Sequence, residues 1–267
     1  MSFSTSVLIQ RFRTSAPLAL RHLLVSAAIA ALVAWLVLGF WFPPPFAEIS
    51  GGMTLFLWIV GVDVVCGPAL TLVLLHPGKS RKAIWVDITL IAVVQLSALA
   101  YGLDTLKEAR PLAIVFEVDR FHVVSHADLD MSRAEAVPDW VRPWGFAAPR
   151  LLGVRSARTA QEKFESVDAS LQGIEPGQRP DWWQDYDINA PEVKRRAKRL
   201  EALLAMHPQE TERIQSAVAQ VTKGTQIRPE DLLWLPVVSR QAMDWVAFLD
   251  PADARIRGFA HVDGFGS

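Results

Sequence analysis

The stretch Leu23–Phe42 reads LLVSAAIAALVAWLVLGFWF and contains no charged side chain. A helix needs about 20 mostly apolar residues to cross the hydrocarbon core of a bilayer. The run is too long and too aromatic at its end for the apolar region of a signal peptide, and no small-residue cleavage site follows it. The stretch therefore predicts an uncleaved transmembrane helix.

Two further apolar runs follow this first one. The second run is interrupted only by Asp63, and the third carries Asp87 and Gln95. Each run has the length that a spanning helix needs. The sequence therefore predicts a membrane unit over residues 1–109, with three transmembrane helices at about 23–42, 53–75 and 83–103.

The rest of the chain has the composition of a soluble domain. Of the 27 basic and 28 acidic residues in the 267-residue chain, seven and five precede residue 110, which leaves 20 and 23 in residues 110–267. This slightly acidic balance gives no reason to expect nucleic-acid binding. The single cysteine, Cys66, excludes an intrachain disulfide and a cysteine-based zinc site. We expect residues 110–267 to form a soluble α+β domain with its own hydrophobic core.

Orientation follows from the basic residues of the short loops, which favour the cytoplasmic side. The N-terminal tail and the loop at 76–82 are basic, whereas the loop at 43–52 has no lysine or arginine. The basic residues are Arg11, Arg13 and Arg21 in the tail, and Lys79, Arg81 and Lys82 in the loop. We therefore expect a cytoplasmic N-terminus and an external C-terminal domain, which in a Gram-negative inner membrane means a periplasmic domain.

Asp63 is the residue of the spans whose side chain is least favourable to bury in the bilayer core. It lies about 15 Å into the second span, where a bare carboxylate costs about 2.5–3.5 kcal/mol. A hydrogen bond to Gln95, which lies at a similar depth, is one explanation, and a docking contact for a partner's transmembrane helix is another. Proton or ion transport is a third, although three spans and one deep carboxylate make a poor pathway. For Asp87 we expect an interfacial ion pair with Arg81 or Lys82.

The pair Gly67-Pro68 lies inside the second span. Proline removes a helical hydrogen bond and usually kinks the helix, and nearby Thr71 can bond the freed carbonyls. The pair predicts either a packing kink, with Gly67 allowing close helix contact, or a hinge or partner groove.

The soluble part alternates strand and helix patterns, with an irregular, tryptophan-rich stretch over residues 131–190. The predicted strands are Leu112–Val118, Phe121–Ser125, Leu233–Ser239 and a closing hairpin of Trp245–Leu249 with Arg255–Val262. The predicted helices are Thr159–Leu171, one that starts at Pro191 and continues over Val193–Ala205, and one from Pro208 to about Val221.

Two side-chain groups in the soluble part could bind ligands. Trp182 and Trp183 could form an aromatic partner-binding surface, although packing between secondary elements is the commoner use of such rings. His122 and His126 lack further ligands for a metal site, so we expect exposed or capping histidines. The sequence contains no nucleotide-binding, nucleophile-elbow or metalloprotease motif. We therefore expect no enzyme activity, no metal and no cofactor.

A series of motifs, in order, connects this sequence to a known family. They are Trp41-Phe42-Pro43, Gly51-Gly52, Asp63, Gly67-Pro68-Ala69-Leu70-Thr71, Lys82, Asp87, Gln95, Tyr101-Gly102, Arg110-Pro111 and Asp119-Arg120-Phe121. Over residues 15–130 the chain resembles the TfpX/TfpZ family of type IV pilin accessory proteins, whereas the remainder is similar only in layout.

The resemblance implies an inner-membrane accessory protein or chaperone that assists the stability or assembly of a cognate type IV pilin. The partner-binding candidates are Asp63, Gly67, Pro68, Gln95, Trp182 and Trp183. The expected partners are a type IV pilin and the lipid bilayer, with self-association left open. The alternative function is a membrane-anchored sensor or ligand-binding module, and a membrane enzyme acting on a lipid-linked or glycan substrate is a third.

Overall fold

The computed structural model describes residues 5–74, 79–136, 139–141 and 149–266. The chain divides into two compact units. The membrane unit comprises Met1–Trp41 and Gly52–Glu108, and the soluble unit comprises Phe42–Gly51 and Ala109–Ser267. The ten residues at 42–51 were predicted to be part of the membrane unit, but they belong to the soluble unit.

Three long helices make up the membrane unit. Helix α1 runs over Thr5–Leu36 and continues as a π-helical turn over Val37–Trp41. Helix α2 is a short segment of the soluble unit at Phe46–Ile49. Helices α3 and α4 are Gly52–Leu74 and Arg81–Ala109.

The three predicted spans are confirmed, with shifted bounds. Stretches long and apolar enough to cross a membrane occupy Ser15–Trp41, Gly52–Leu74 and Arg81–Ala109. The first begins before Leu23 and so includes Arg21 and His22, since a helix continues beyond its apolar stretch when long polar side chains can reach the interface. Helix α4 ends before Pro111, as the residue preceding a proline disfavours helical geometry.

The spans pack closely at small residues and expose large apolar ones. At Gly102, a Cβ atom would lie 2.6 Å from Cγ2 of Ile59, so α4 approaches α3 there with no room for a side chain. Trp58, Val73 and Trp85 are exposed, which is normal for side chains that face lipid because bilayer tails are as apolar as they are.

The soluble unit is built on one mixed sheet of eight strands. The strands are β1 Pro111–Glu117, β2 Arg120–Ser125, β3 Arg150–Val154, β4 Trp183–Asp185, β5 Lys198–Arg199, β6 Leu233–Val238, β7 Trp245–Leu249 and β8 Ile256–Ala260. Their order in the sheet is β4-β3-β1-β2-β6-β7-β8, and β5 pairs with β6. The pairs β1–β3 and β2–β6 are parallel, and the other pairs are antiparallel. The helices are α5 Ala160–Leu171, α6 Tyr186–Arg196, α7 Leu200–Met206 and α8 Thr211–Thr222. This arrangement confirms a membrane protein with a soluble α+β domain.

Both faces of the sheet are covered. On one face, Leu235 of β6 packs in a cluster with Val193 of α6. On the other, the neighbouring Trp234 packs with Leu203 of α7 and Ile214 of α8. Successive strand residues point to opposite faces, so strands buried on both sides are nearly continuous apolar runs.

Sequence periodicity located five of the eight strands and missed β3, β4 and β5. It also misplaced one helix start, and β5 interrupts the helix that was predicted over Val193–Ala205. Helix α6 begins at Tyr186, before Pro191, because the Asp185 carboxylate accepts a hydrogen bond from the Asp187 amide and caps the helix. Ala197 is extended and ends it. The basic run that follows Pro191 is therefore divided between α6 and β5, and it is exposed in both.

Glu162, in the first turn of α5, forms an ion pair with Arg155 that lowers the pKa of its carboxyl group. Bidentate hydrogen bonds from Arg155, at 2.6 and 3.1 Å, and a bond from the Arg158 amide lower the pKa of Glu162 from 4.5 to about 2. A lowered pKa stabilises the fold above the unfolded value, and that contribution disappears as pH falls from 4.5 towards 2.

We expect Arg155→Gln to raise the pKa of Glu162 markedly, since the side-chain bond from Arg155 is the largest cause of the shift. An NMR titration of the carboxyl carbon would measure it. Arg158→Gln is the matched control, because it keeps the backbone donor and should change the pKa of Glu162 much less. Equal shifts in the two variants would contradict this account.

Helix α2 places apolar side chains inside the soluble unit. Ile49 is fully buried and Phe46 almost so, in the same cluster as Leu235. The Phe46 ring meets Phe259 of β8 edge to face at 5.5 Å. The Ser239 hydroxyl donates to the Ile49 carbonyl at 2.5 Å. The segment between the first two spans is thus an integral part of the soluble core.

Candidate partner-binding sites

A cleft lined by all three spans surrounds Asp63. It is a partly open cavity of about 160 Å³. Helix α1 contributes one face, with residues spaced three and four apart, and α4 contributes another in the same way. The floor is Val60 and Asp63 of α3. The wall residues are His22, Val25, Ser26, Ile29 and Ala30 of α1, and Ala92, Gln95, Leu96 and Leu99 of α4.

The carboxylate of Asp63 has no hydrogen-bond or ion-pair partner within the described part of the chain. The predicted pairing with Gln95 does occur, but through another atom. The Gln95 amide donates to the backbone carbonyl of Asp63 at 2.9 Å. This bond supports the α3 backbone and does not involve the carboxylate.

Gly67 is the reason that Gln95 can reach the α3 backbone. A Cβ atom at position 67 would lie 2.1 Å from Gln95 Nε2 and 2.4 Å from its Cδ. Helix α3 continues through Pro68. Close helix contact at Gly67, one of the alternatives for the Gly67-Pro68 pair, is therefore present in the structure.

Thr71 and His22 form a second polar contact between spans. The Thr71 hydroxyl donates to the Gly67 carbonyl at 3.0 Å. Pro68 has no amide hydrogen for the Val64 carbonyl, but Thr71 does not bond that carbonyl. Because the hydroxyl is used as a donor, its oxygen accepts from His22 Nδ1 at 2.6 Å.

His22 and Ser26 were not predicted as residues of this cleft. His22 precedes a long apolar run and Ser26 lies within it, so neither stands out as an intramembrane polar group. Their spacing of four residues, which places two side chains on one helix face, is the signal that could have found them. The ion pair expected for Asp87 does occur, although its partner is Lys79.

The close approach at Gly67 predicts a cost for a single methyl group. We expect Gly67→Ala to displace the Gln95 amide and to destabilise the membrane unit by about 1–2 kcal/mol relative to Gly61→Ala. An interhelical hydrogen bond in a bilayer contributes about 0.6 kcal/mol, and steric displacement adds to its loss.

Gly61→Ala is the matched control because, among the described residues, no atom beyond its own stretch of helix lies within 4 Å of the added Cβ. Alanine is favoured over glycine in a helix by about 0.5–1 kcal/mol, so the control should be neutral or stabilising. Thermal unfolding in detergent would compare the two variants. Equal midpoints would contradict the packing role of Gly67.

The two tryptophans predicted as an aromatic surface are buried. Trp183 donates from Nε1 to the Gly177 carbonyl at 2.8 Å and packs in a cluster with Val115. The Trp182 ring lies between the guanidinium groups of Arg155 and Arg179, at 4.7 and 4.5 Å. The rings fill space between secondary elements, so Trp182 and Trp183 are not exposed for direct contact with a partner.

A polar groove lies beside β2 in the soluble unit. Two adjoining cavities of about 330 and 470 Å³ share His122, Glu175 and Ser239 in their walls. His122 is buried, contrary to expectation, and its Nδ1 lies 3.1 Å from the Glu117 carboxylate. Glu117 also accepts from the Gly177 amide at 2.6 Å. Within the described residues, no three potential metal ligands cluster.

One residue of the groove wall, Val118, has a strained backbone conformation. Val118, between β1 and β2, has a φ of 54° and an exposed side chain. This is a rare conformation for a β-branched residue, and such strain is often found at functional positions. Met243, which is also exposed, lies in the same cavity wall.

Comparisons with known proteins identify the family. The chain is 34% identical over 258 residues to the fimbrial assembly protein of serogroup I from Dichelobacter nodosus, which covers 96% of this chain and 98% of that protein. The chain belongs to the fimbrial assembly protein family. The family model described as fimbrial assembly protein FimB matches residues 10–51, which include the first span and α2.

Two further members of the fimbrial assembly family extend this likeness. The serogroup E1 protein of the same organism is 32% identical over 258 residues, with 96% of this chain and 98% of that protein covered. The protein of serogroups C1 and C2 is 42% identical over 120 residues, which span 45% of this chain and 92% of that protein. No solved structure matches the chain. The family resemblance read from the motifs is thus confirmed at the level of fimbrial assembly.

Proposed function

We propose that this protein is a non-enzymatic inner-membrane accessory protein or chaperone that assists the stability and assembly of a cognate type IV pilin. The observation that carries the proposal is the likeness to a fimbrial assembly protein over 96% of the chain and 98% of that relative. Because the likeness includes both units, the spans and the soluble unit are expected to work together.

The proposed orientation has support from the chain's charge and from its packing. Basic residues flank the first and third spans on one side and are absent from the segment at 43–52. That segment packs within the soluble unit through Ile49, which requires both to lie on the same side of the membrane. The positive-inside rule then favours the periplasm for both.

A protein with three spans and a soluble unit can contact a membrane-anchored pilin at two separate places. The spans can contact the pilin's membrane helix, and the soluble unit can contact its head. Binding at one place raises the effective concentration for the other, so two weak contacts give a stable complex.

The alternative function, a sensor or ligand-binding module, has less support. Its best feature is the groove beside β2, but two carboxylates in the groove walls already have partners within the soluble unit. The Glu117 carboxylate contacts His122 and accepts from the Gly177 amide. The Asp128 carboxylate accepts from the Ser125 amide and hydroxyl at 3.0 and 2.6 Å. A ligand would find few unsatisfied groups.

Deletion of the gene tests the proposed function directly. We expect surface pili to be lost or strongly reduced, and the cognate pilin to be less stable, in a pulse-chase experiment. Plasmid-borne expression of the protein should restore both. Normal pili and normal pilin turnover in the deletion strain would refute the proposal.

Cysteine labelling tests the orientation. Leu171→Cys in a Cys66→Ser background provides one exposed thiol at the end of α5. We expect a membrane-impermeant maleimide to label it in cells whose outer membrane is permeabilised. Labelling only after the inner membrane is disrupted would place the soluble unit in the cytoplasm.

A further inference from the structure

The cleft in the membrane unit contains a carboxylate for which the described part of the chain supplies no hydrogen-bond donor. The Asp63 carboxylate lies on the cleft floor near the midpoint of α3. Of the polar wall residues, Gln95 donates to a backbone carbonyl and His22 to Thr71, and no hydrogen bond joins Ser26 to the carboxylate within the described residues. The carboxylate therefore depends on a donor from outside the described chain.

Lipid cannot supply that donor, because hydrocarbon tails have no N–H or O–H groups. A polar side chain within a span is costly unless it pairs, and it usually faces another helix or a water-filled cavity. The open side of the cleft is therefore better matched to a polypeptide than to acyl chains.

The dimensions of the cleft fit one inserted side chain. Its volume of about 160 Å³ is close to the roughly 150 Å³ of an apolar cavity that admits benzene. The α4 wall from Ala92 to Leu99 is ~10 Å long, or about two helical turns. Small residues on both walls, Ser26, Ala30 and Ala92, allow the backbone of an added helix to approach closely.

We propose that the cleft binds the transmembrane helix of the pilin, and that one side chain of that helix brings an N–H or O–H donor to the Asp63 carboxylate. The inference rests on the proposed function, and it adds the place and the chemistry of the contact. Asp63 is then a recognition residue that selects helices with a donor at the right depth.

Site-specific photocrosslinking in piliated cells tests this contact. Leu96 and Val94 form a matched pair on α4, because their side chains are 57% and 56% exposed but only Leu96 lines the cleft. We expect a photoreactive residue at position 96 to capture pilin and one at position 94 to capture little or none.

Substitutions of Asp63 test the donor. Asp63→Leu should lower pilin capture at position 96 by about three- to tenfold, the range expected for one interhelical hydrogen bond. Asp63→Asn keeps an acceptor oxygen and should retain most of the capture. Leucine is favourable at the centre of a span, so Asp63→Leu should insert normally, which immunoblotting would verify.

Each outcome separates this contact from the general function. Equal pilin capture at positions 94 and 96, capture of a second copy of this chain in place of pilin, or undiminished capture with Asp63→Leu would each overturn the proposed contact. If pili still required the gene, the accessory function would stand without it. Normal pili in the deletion strain would instead refute the accessory function itself.

Discussion

Replacement of Ile49 by alanine is expected to destabilise the soluble unit by about 2–5 kcal/mol, the usual cost of truncating a buried isoleucine. Ile49 lies between two transmembrane spans in sequence, but its side chain is 0% exposed in the core of the soluble unit. The truncation would leave a cavity in the cluster that contains Leu235 and Ala247, both of which are buried. A domain has only about 5–15 kcal/mol of stability, so the loss should be evident.

Pulse proteolysis of the detergent-solubilised protein in a urea series would measure this change. Ile188→Ala is the matched control, since Ile188 belongs to the same unit but is 66% exposed. It should change the free energy of unfolding by less than about 0.5 kcal/mol. If Ile49→Ala behaved like the control, residues 42–51 would be a simple loop and not a part of the core.

Trp183→Ala should also unfold the soluble unit readily, with a loss of about 3–5 kcal/mol. The ring is 4% exposed, and its removal empties space next to Val115 and leaves the Gly177 carbonyl without its donor. The experiment separates the two uses considered for this tryptophan. A packing residue lowers stability, whereas a residue of a binding surface lowers pilin capture and leaves stability unchanged.

Trp140→Ala provides the comparison for Trp183→Ala. Trp140 is 44% exposed and stacks against the guanidinium group of Arg150 at 5.2 Å. An exposed cation–π contact contributes about 0.5–1 kcal/mol, so the control should be only slightly destabilised. Urea unfolding followed by tryptophan fluorescence would rank the two variants. Wild-type stability of Trp183→Ala, together with lost pilin capture, would restore the binding-surface interpretation.

The chain determines its spans and most of its strands locally. The spans at 23–42, 53–75 and 83–103 could be predicted because crossing a bilayer demands an uninterrupted apolar length. The closing hairpin of β7 and β8 could be predicted because turn residues at 250–253 separate the apolar run Trp245–Leu249 from the following segment Arg255–Val262. These properties depend on residues that are close in sequence.

The cleft and the soluble core depend on residues that are distant in sequence. Asp63 and Gln95 could be paired by depth, but the bonded atom, the carbonyl, depends on Gly67 and on how closely α4 approaches. Strand β3 was missed because it lies next to β1 through a parallel pairing that no local pattern encodes.

Three spans and a soluble α+β domain can be predicted from the sequence alone, and its motifs indicate pilus assembly. The folded chain was needed to find that Ile49 is a core residue, that Trp183 is buried, and that no described residue donates to the Asp63 carboxylate. One physical difference explains all three findings. Apolarity and charge are properties of a residue, whereas burial and hydrogen bonding depend on what the fold brings to it.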